Sequence, residues 1–283
     1  MRKVKKYTTY KEQIDKLESR GCLIDNYVEC EDVLRNVGYY RLSAYFLPFK
    51  GEDGKYTEGL SFYRICDIYE FDSHLRSILF SAVEDIEISF RARLSYFHSG
   101  KYGPLGYLDP STFNSKHNVQ KFQANIQREI ESNRNVLFVK HHIEEYGGQF
   151  PLWVISELFT FGMLSYFYND LSIADKKLFA GHDYKNMVSW LRCCTDLRNI
   201  CAHSGRLYYR TFTAMLSGAN IGETSKRKLW GAILTVKQLY PSTDKWNSDF
   251  LPSIERLFKK YESSINLCHL AFPNNWLEQL RKP

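Results

Sequence analysis

The amino-acid sequence predicts an all-α protein. Between Ser61 and Ser99 there is neither Gly nor Pro, and Leu79, Val83, Ile86, Phe90, Leu94 and Phe97 recur at helical spacing. A second apolar stripe, Met187, Trp190, Leu191, Cys194, Leu197 and Cys201, repeats that period further along. Strands with period-two alternation at regular spacing are not evident.

The elements follow in order. Thr9-Tyr-Lys-Glu12 reads as a capping box and Gly21 as a stop, which predicts a first helix near 9–20. A second helix is expected from about Glu31 to Phe46, before Pro48, with Gly38 inside it. Residues 51–60 read as a turn or short hairpin. The run from Ser61 is a long helix with a break expected near Asp72-Ser73. GKYGPLGYLDPSTF (100–113) is a loop. A polar helical stretch over 114–146 ends at Gly147-Gly148 and Pro151, and further helices are predicted near 152–169, 184–203, 224–239 and 252–268. We divide the chain into an N-terminal helical segment (1–60) and a larger helical domain (61–283).

With 283 residues, 44% apolar and 25% charged, the chain has the composition of an ordinary folded protein, which excludes disordered, collagen-like and low-complexity classes. The net charge of +6 is unevenly spread: the chain opens with Arg2, Lys3, Lys5 and Lys6, and its last seventy or so residues are basic. That pattern suits a polyanionic partner, or solubility alone. The seven cysteines are odd in number and form no C-x-x-C pair, which argues against a zinc site or a disulfide framework and for a reduced cytoplasmic compartment. No signal-peptide core opens the chain, and the apolar stretch Pro151–Tyr168 is interrupted by Glu157, so no membrane association is expected.

Asp183–Arg210 is the most informative stretch. Arg198 falls within the apolar stripe of its helix, where a guanidinium is costly unless paired. Glu84, Asp85 and Glu87, beside the stripe of the long helix, are candidate partners, with Glu84 or Glu87 preferred. His203 lies about 140° around the helix from Arg198. Either the helix ends early and swings His203 back, or two copies meet across a two-fold axis and share one cleft. The bare spacing is weak, because Arg93 and His98 repeat it; that pair is carried as a second half-site or RNA contact, against a structural pairing.

LRNICAHSGRLY (197–208) resembles the motif of HEPN ribonucleases. RGCLIDNYVECEDVLRNVGYYRLSAYFLPF (20–49) and KYGPLGYLD (101–109) resemble the Abi-like abortive-infection family of AbiD/AbiF type. The resemblance implies a HEPN-like helical bundle, antiviral defence in bacteria by a toxin-like protein, metal-independent RNA cleavage without a cofactor, and a homodimer with a composite site. Carried over, Arg198 and His203 are the catalytic positions, Asn199 accompanies them, and Arg206 is a supporting basic residue. Some relatives bind a structured non-coding RNA.

These residue types suit RNA cleavage. RNA supplies its own nucleophile, the 2′-hydroxyl. Histidine moves protons near neutral pH and arginine offers a planar fork to phosphate. The expected function is therefore a metal-independent endoribonuclease. The alternative is a non-catalytic RNA-binding dimer holding a structured RNA, and a third reading is a plain protein-interaction bundle. His141-His142 with Glu144-Glu145 supplies too few ligands for a metal site. Tyr39-Tyr40-Arg41 and Tyr208-Tyr209-Arg210 suit either base stacking or core packing.

Overall fold

Helix ends are set by how their free amides and carbonyls are satisfied. The structure, a computed structural model, describes residues 4, 6–213, 216–218 and 221–281; Arg2, Lys3 and Lys5 of the basic N-terminus lie outside the described residues. Thr9 and Glu12 form the reciprocal capping box ahead of α1 (Tyr10–Glu18). Asn26 caps α2 (Tyr27–Val37). Gly38, at φ 87°, turns the chain into α3 (Tyr39–Ser43). The single helix expected over 31–46 is thus split, because that left-handed backbone suits a residue without Cβ. Residues 51–60 contain the expected turn: the Gly54 amide bonds Gly51 O at 3.0 Å, and Lys50 and Tyr56 pair in one isolated antiparallel bridge.

The spine is α4 (Phe62–Tyr102), 41 residues long, opened by the Ser61 hydroxyl on the Arg64 amide and closed at Gly103. At 1.5 Å per residue it spans about 60 Å. The break expected at Asp72-Ser73 does not occur. Asp72 instead points inward, in the same buried stripe as Ile68, Phe71, Leu75 and Leu79.

The polar stretch expected over 114–146 is two helices, α5 (Val119–Ser132) and α6 (Leu137–Glu145). The apolar stretch after Pro151 is also divided, into α7 (Leu152–Ile155) and α8 (Phe161–Asp170), because Thr160 adopts extended backbone and caps α8 with its hydroxyl. A helix the sequence reading missed, α9 (Ile173–Ala180), is capped by Ser172. Next comes α10 (Tyr184–Ala202). Past it lie α11 (Glu223–Lys226), α12 (Leu229–Leu239), α13 (Thr243–Lys245), a π-turn at Trp246–Phe250, α14 (Leu251–Lys260) and α15 (Trp276–Leu280). The helix expected at 224–239 is therefore interrupted at Arg227–Lys228, and the one expected to reach 268 stops at Lys260.

Helix α10 packs against α4, α8 and α12. Buried residues of the N-terminal segment, α4, α8, α10, α12 and α14 form one apolar cluster. No strand occurs among the described residues, so the fold is all-α as predicted. None of the described helices is long and apolar enough to cross a membrane.

Candidate functional site

The end of α10 is closed by its own backbone. His203 is the C-cap, and its amide still bonds the Asn199 carbonyl at 3.0 Å, so helical geometry runs on to His203. The Ser204 amide then bonds Cys201 O (3.1 Å) and the Gly205 amide bonds Ile200 O (2.7 Å), the two bonds of a Schellman motif. The left-handed position is held by Ser204, at φ 52°. Gly205 is needed for another reason: a Cβ there would sit 3.0 Å from the Ile200 side chain and 3.1 Å from its carbonyl oxygen. The helix therefore does not swing His203 back toward Arg198. Within one copy the two side chains leave α10 about 140° apart. Both His203 and Asn199 are exposed.

Arg198 leans toward α4. Its Nε lies 3.8 Å from Glu87 Oε2, and its guanidinium sits over the Phe80 ring at 5.9 Å. The side chain keeps 36% of its surface exposed, so it is steadied on one edge and open on the other. Glu87 is itself fixed by Arg91, which donates to Glu87 Oε1 at 2.9 Å and to Phe159 O at 3.0 Å. Arg91 was missed in the sequence, although its i, i+4 spacing from Glu87 is a readable signal. Glu84 is exposed, and the ion pair of Arg198 among the described residues is with Glu87; Asp85 accepts from Tyr240 and Lys245 instead.

The segment after His203 is clamped from behind by a buried carboxylate. Asp72, fully buried, accepts from the Tyr45 hydroxyl (2.8 Å), Arg76 (2.7 Å) and the amides of Leu207 (3.1 Å) and Tyr208 (2.7 Å). Burial pushes its carboxyl pKa upward, opposed by Tyr45, the Leu207 amide, Arg76 and the Tyr208 amide. The N-terminal segment adds two more ties. Arg41 donates to Ser204 O at 2.8 Å, and Arg206 donates to Ala44 O. Arg206 therefore faces the N-terminal segment as a half-buried brace rather than an open cation. The two stretches 20–49 and 197–208, far apart in sequence, meet here.

The second Arg/His pair, Arg93 and His98, packs against different rings. His98 is fully buried among Tyr102, Phe113 and Phe167, and neither ring nitrogen has a hydrogen-bond partner. Burial lowers its pKa to about 4. The imidazole is thus enclosed by the chain's own rings and presents no surface to solvent. Arg93 is exposed and lies over the Phe179 ring at 5.3 Å. His142 bonds Phe138 O and stacks on Tyr146 and Phe150. Tyr208 is a buried anchor whose hydroxyl meets His269 at 2.7 Å and accepts the Asn266 amide at 3.0 Å, whereas Tyr40 is exposed.

A sequence model of the family described as Abi-like protein matches residues 32–209. No curated protein and no solved structure matches the chain. The matched span begins in α2 and ends just after Tyr208, so it contains Arg41, Tyr45, Asp72, Arg76, Glu87, Arg198, His203 and Arg206. With more than half of its length matched, the chain belongs to the Abi-like protein family, which suggests a role in abortive infection, a defence against phage.

Proposed function

We propose that the protein is a metal-independent HEPN-type endoribonuclease of abortive infection, acting as a cytoplasmic homodimer whose two copies of α10 build one composite cleft. The observation that carries this reading is the end of α10. His203 is open to solvent on a backbone held rigid from behind, and Arg198 is steadied by Glu87 with its other edge free.

In the composite site the 2′-oxygen of RNA attacks the adjacent phosphorus. One imidazole takes the hydroxyl proton, and the imidazolium from the second copy gives a proton to the departing 5′-oxygen. Arg198 faces the charge that builds on the non-bridging oxygens. The products are a 2′,3′-cyclic phosphate and a 5′-hydroxyl, and the protonation states of the two histidines are exchanged. Asn199, exposed one turn before His203, hydrogen-bonds the substrate. Because one copy directs Arg198 and His203 apart, the dimer is a requirement of this chemistry.

The test is cleavage of single-stranded RNA in EDTA. His203→Ala and Arg198→Ala should each cut at least about 100-fold more slowly than the parent, with unchanged circular dichroism. DNA of the same sequence should stay intact. Cleavage by His203→Ala at the parental rate overturns the assignment. Tight RNA binding without cleavage by the parent would favour the non-catalytic RNA-binding dimer.

A further inference from the structure

One face of α10 carries no buried residue from Lys185 to His203 among the described residues. Lys185, Ser189, Arg192, Asp196, Asn199 and His203 follow one another at alternating steps of four and three, which places them within about 40° of a common direction. Two hollows of about 450 and 220 Å³ lie along this face and share Thr213 in their lining. Lys185, Asn186 and Arg192 line the larger; Asp196, Asn199 and Arg210 line the smaller. Along α10 the two hollows run about 21 Å from Lys185 to Asn199, at 1.5 Å per residue, and exposed His203 lies one turn beyond their end.

Ser217 and Gly218 pack against the larger hollow's α10 side. Ser217 donates to Asn186 Oδ1 at 3.0 Å, its hydroxyl lies 2.5 Å from Ser189 Oγ, and its carbonyl accepts from Trp190 Nε1 at 3.0 Å. Gly218, at φ 77°, lets the chain approach Asn186 so closely that a Cβ would sit 2.6 Å from its amide nitrogen.

The charge in the groove is one-sided. Lys185, Arg192 and Arg210 have no acidic group within ion-pair distance among the described residues. Asp196 is the single acid in the lining, and its carboxylate accepts hydrogen bonds only, so it suits a 2′-hydroxyl or a base amino group rather than a phosphate. Three cations spread along an open channel, interleaved with amides and hydroxyls, complement a strand of phosphates.

We propose that this groove is the track that holds single-stranded RNA and leads it to His203. The inference rests on the ribonuclease reading and extends it, by naming where the substrate strand lies outside the reacting bond.

The experiment uses the full chain carrying His203→Ala, to prevent turnover, and a fluorescein-labelled single-stranded RNA of mixed sequence. Anisotropy is followed between 50 and 200 mM salt. Lys185→Gln/Arg192→Gln should weaken binding about tenfold and flatten the dependence of log affinity on log salt by about 1.4, the loss of two phosphate contacts. Lys11→Gln/Lys55→Gln, which removes two exposed cations elsewhere, should change neither. With His203 restored, the groove variant should raise KM for long RNA and leave cleavage of a dinucleotide at the parental rate. If the groove variant binds as the parent does while the parent cleaves RNA, the track is wrong and the ribonuclease reading stands. If the parent neither binds nor cleaves, both fall. A dimer-to-monomer shift of the groove variant on gel filtration would assign this face to contact between copies and overturn the proposal.

Discussion

Asp72 is the group on which the geometry behind His203 depends, and replacing it by Asn tests that directly. The carboxylate is fully buried and the Arg76 side chain is 7% exposed, with 2.7 Å between them. Asn keeps the shape but removes the charge. It leaves the Arg76 guanidinium buried without its acid, and cannot serve Tyr45 and two backbone amides as a carboxylate does. Removing one partner of a buried pair costs about 3–5 kcal/mol. Urea unfolding should therefore show a lower midpoint at nearly unchanged slope. Arg76→Leu alone should also destabilise, but Asp72→Asn/Arg76→Leu should lose less than the two single losses added together, by about 1–3 kcal/mol. The same variants should lose RNA cleavage under conditions where they remain folded, because Leu207 and Tyr208 follow His203 by only a few residues. A double variant equal to the sum of the singles within about 0.5 kcal/mol would refute the coupling. So would an Asp72→Asn protein less than about 1 kcal/mol below the parent.

Two further outcomes are expected. His98 binds its proton only near pH 4 in the folded chain, against an ordinary value of about 6.5. Between those values the unfolded chain takes up the proton and the folded chain does not, so stability is full above about pH 6.5 and is lost as pH falls toward 4. A shift of that size corresponds to about 3 kcal/mol, and His98→Phe should remove it; equal pH dependence of urea unfolding in parent and variant would refute the assignment. Ser204 holds a left-handed conformation at φ 52°, so Ser204→Gly should raise stability by about 0.5–1 kcal/mol, measured by thermal unfolding.

Much of the candidate site is legible from local pattern. The period of the stripe in α10 marks its buried face, and the position of Arg198 within that stripe marks a cation needing a partner. Of the acids considered, Glu87 is the one within reach of Arg198. His98 shows the limit of spacing: its distance from Arg93 in sequence equals that of His203 from Arg198, yet three aromatic rings enclose it. Asp72 shows the converse. An acid in a buried helical stripe with Arg one turn on was readable as an ion pair, but sequence read it as a break.

Sequence alone determined the all-α class, the capping box at Thr9, the long helix opened at Ser61 and the end of α10 near Gly205, because caps, helical period and glycine act over a few residues. Only the tertiary structure decided that α4 runs unbroken, that His203 and Arg198 leave one copy in different directions, and that the N-terminal segment grips the residues after His203. These depend on a buried carboxylate meeting amides some 135 positions away along the chain, and on which faces of α10 other helices cover. Contacts of that range leave no periodic trace in the residues that make them.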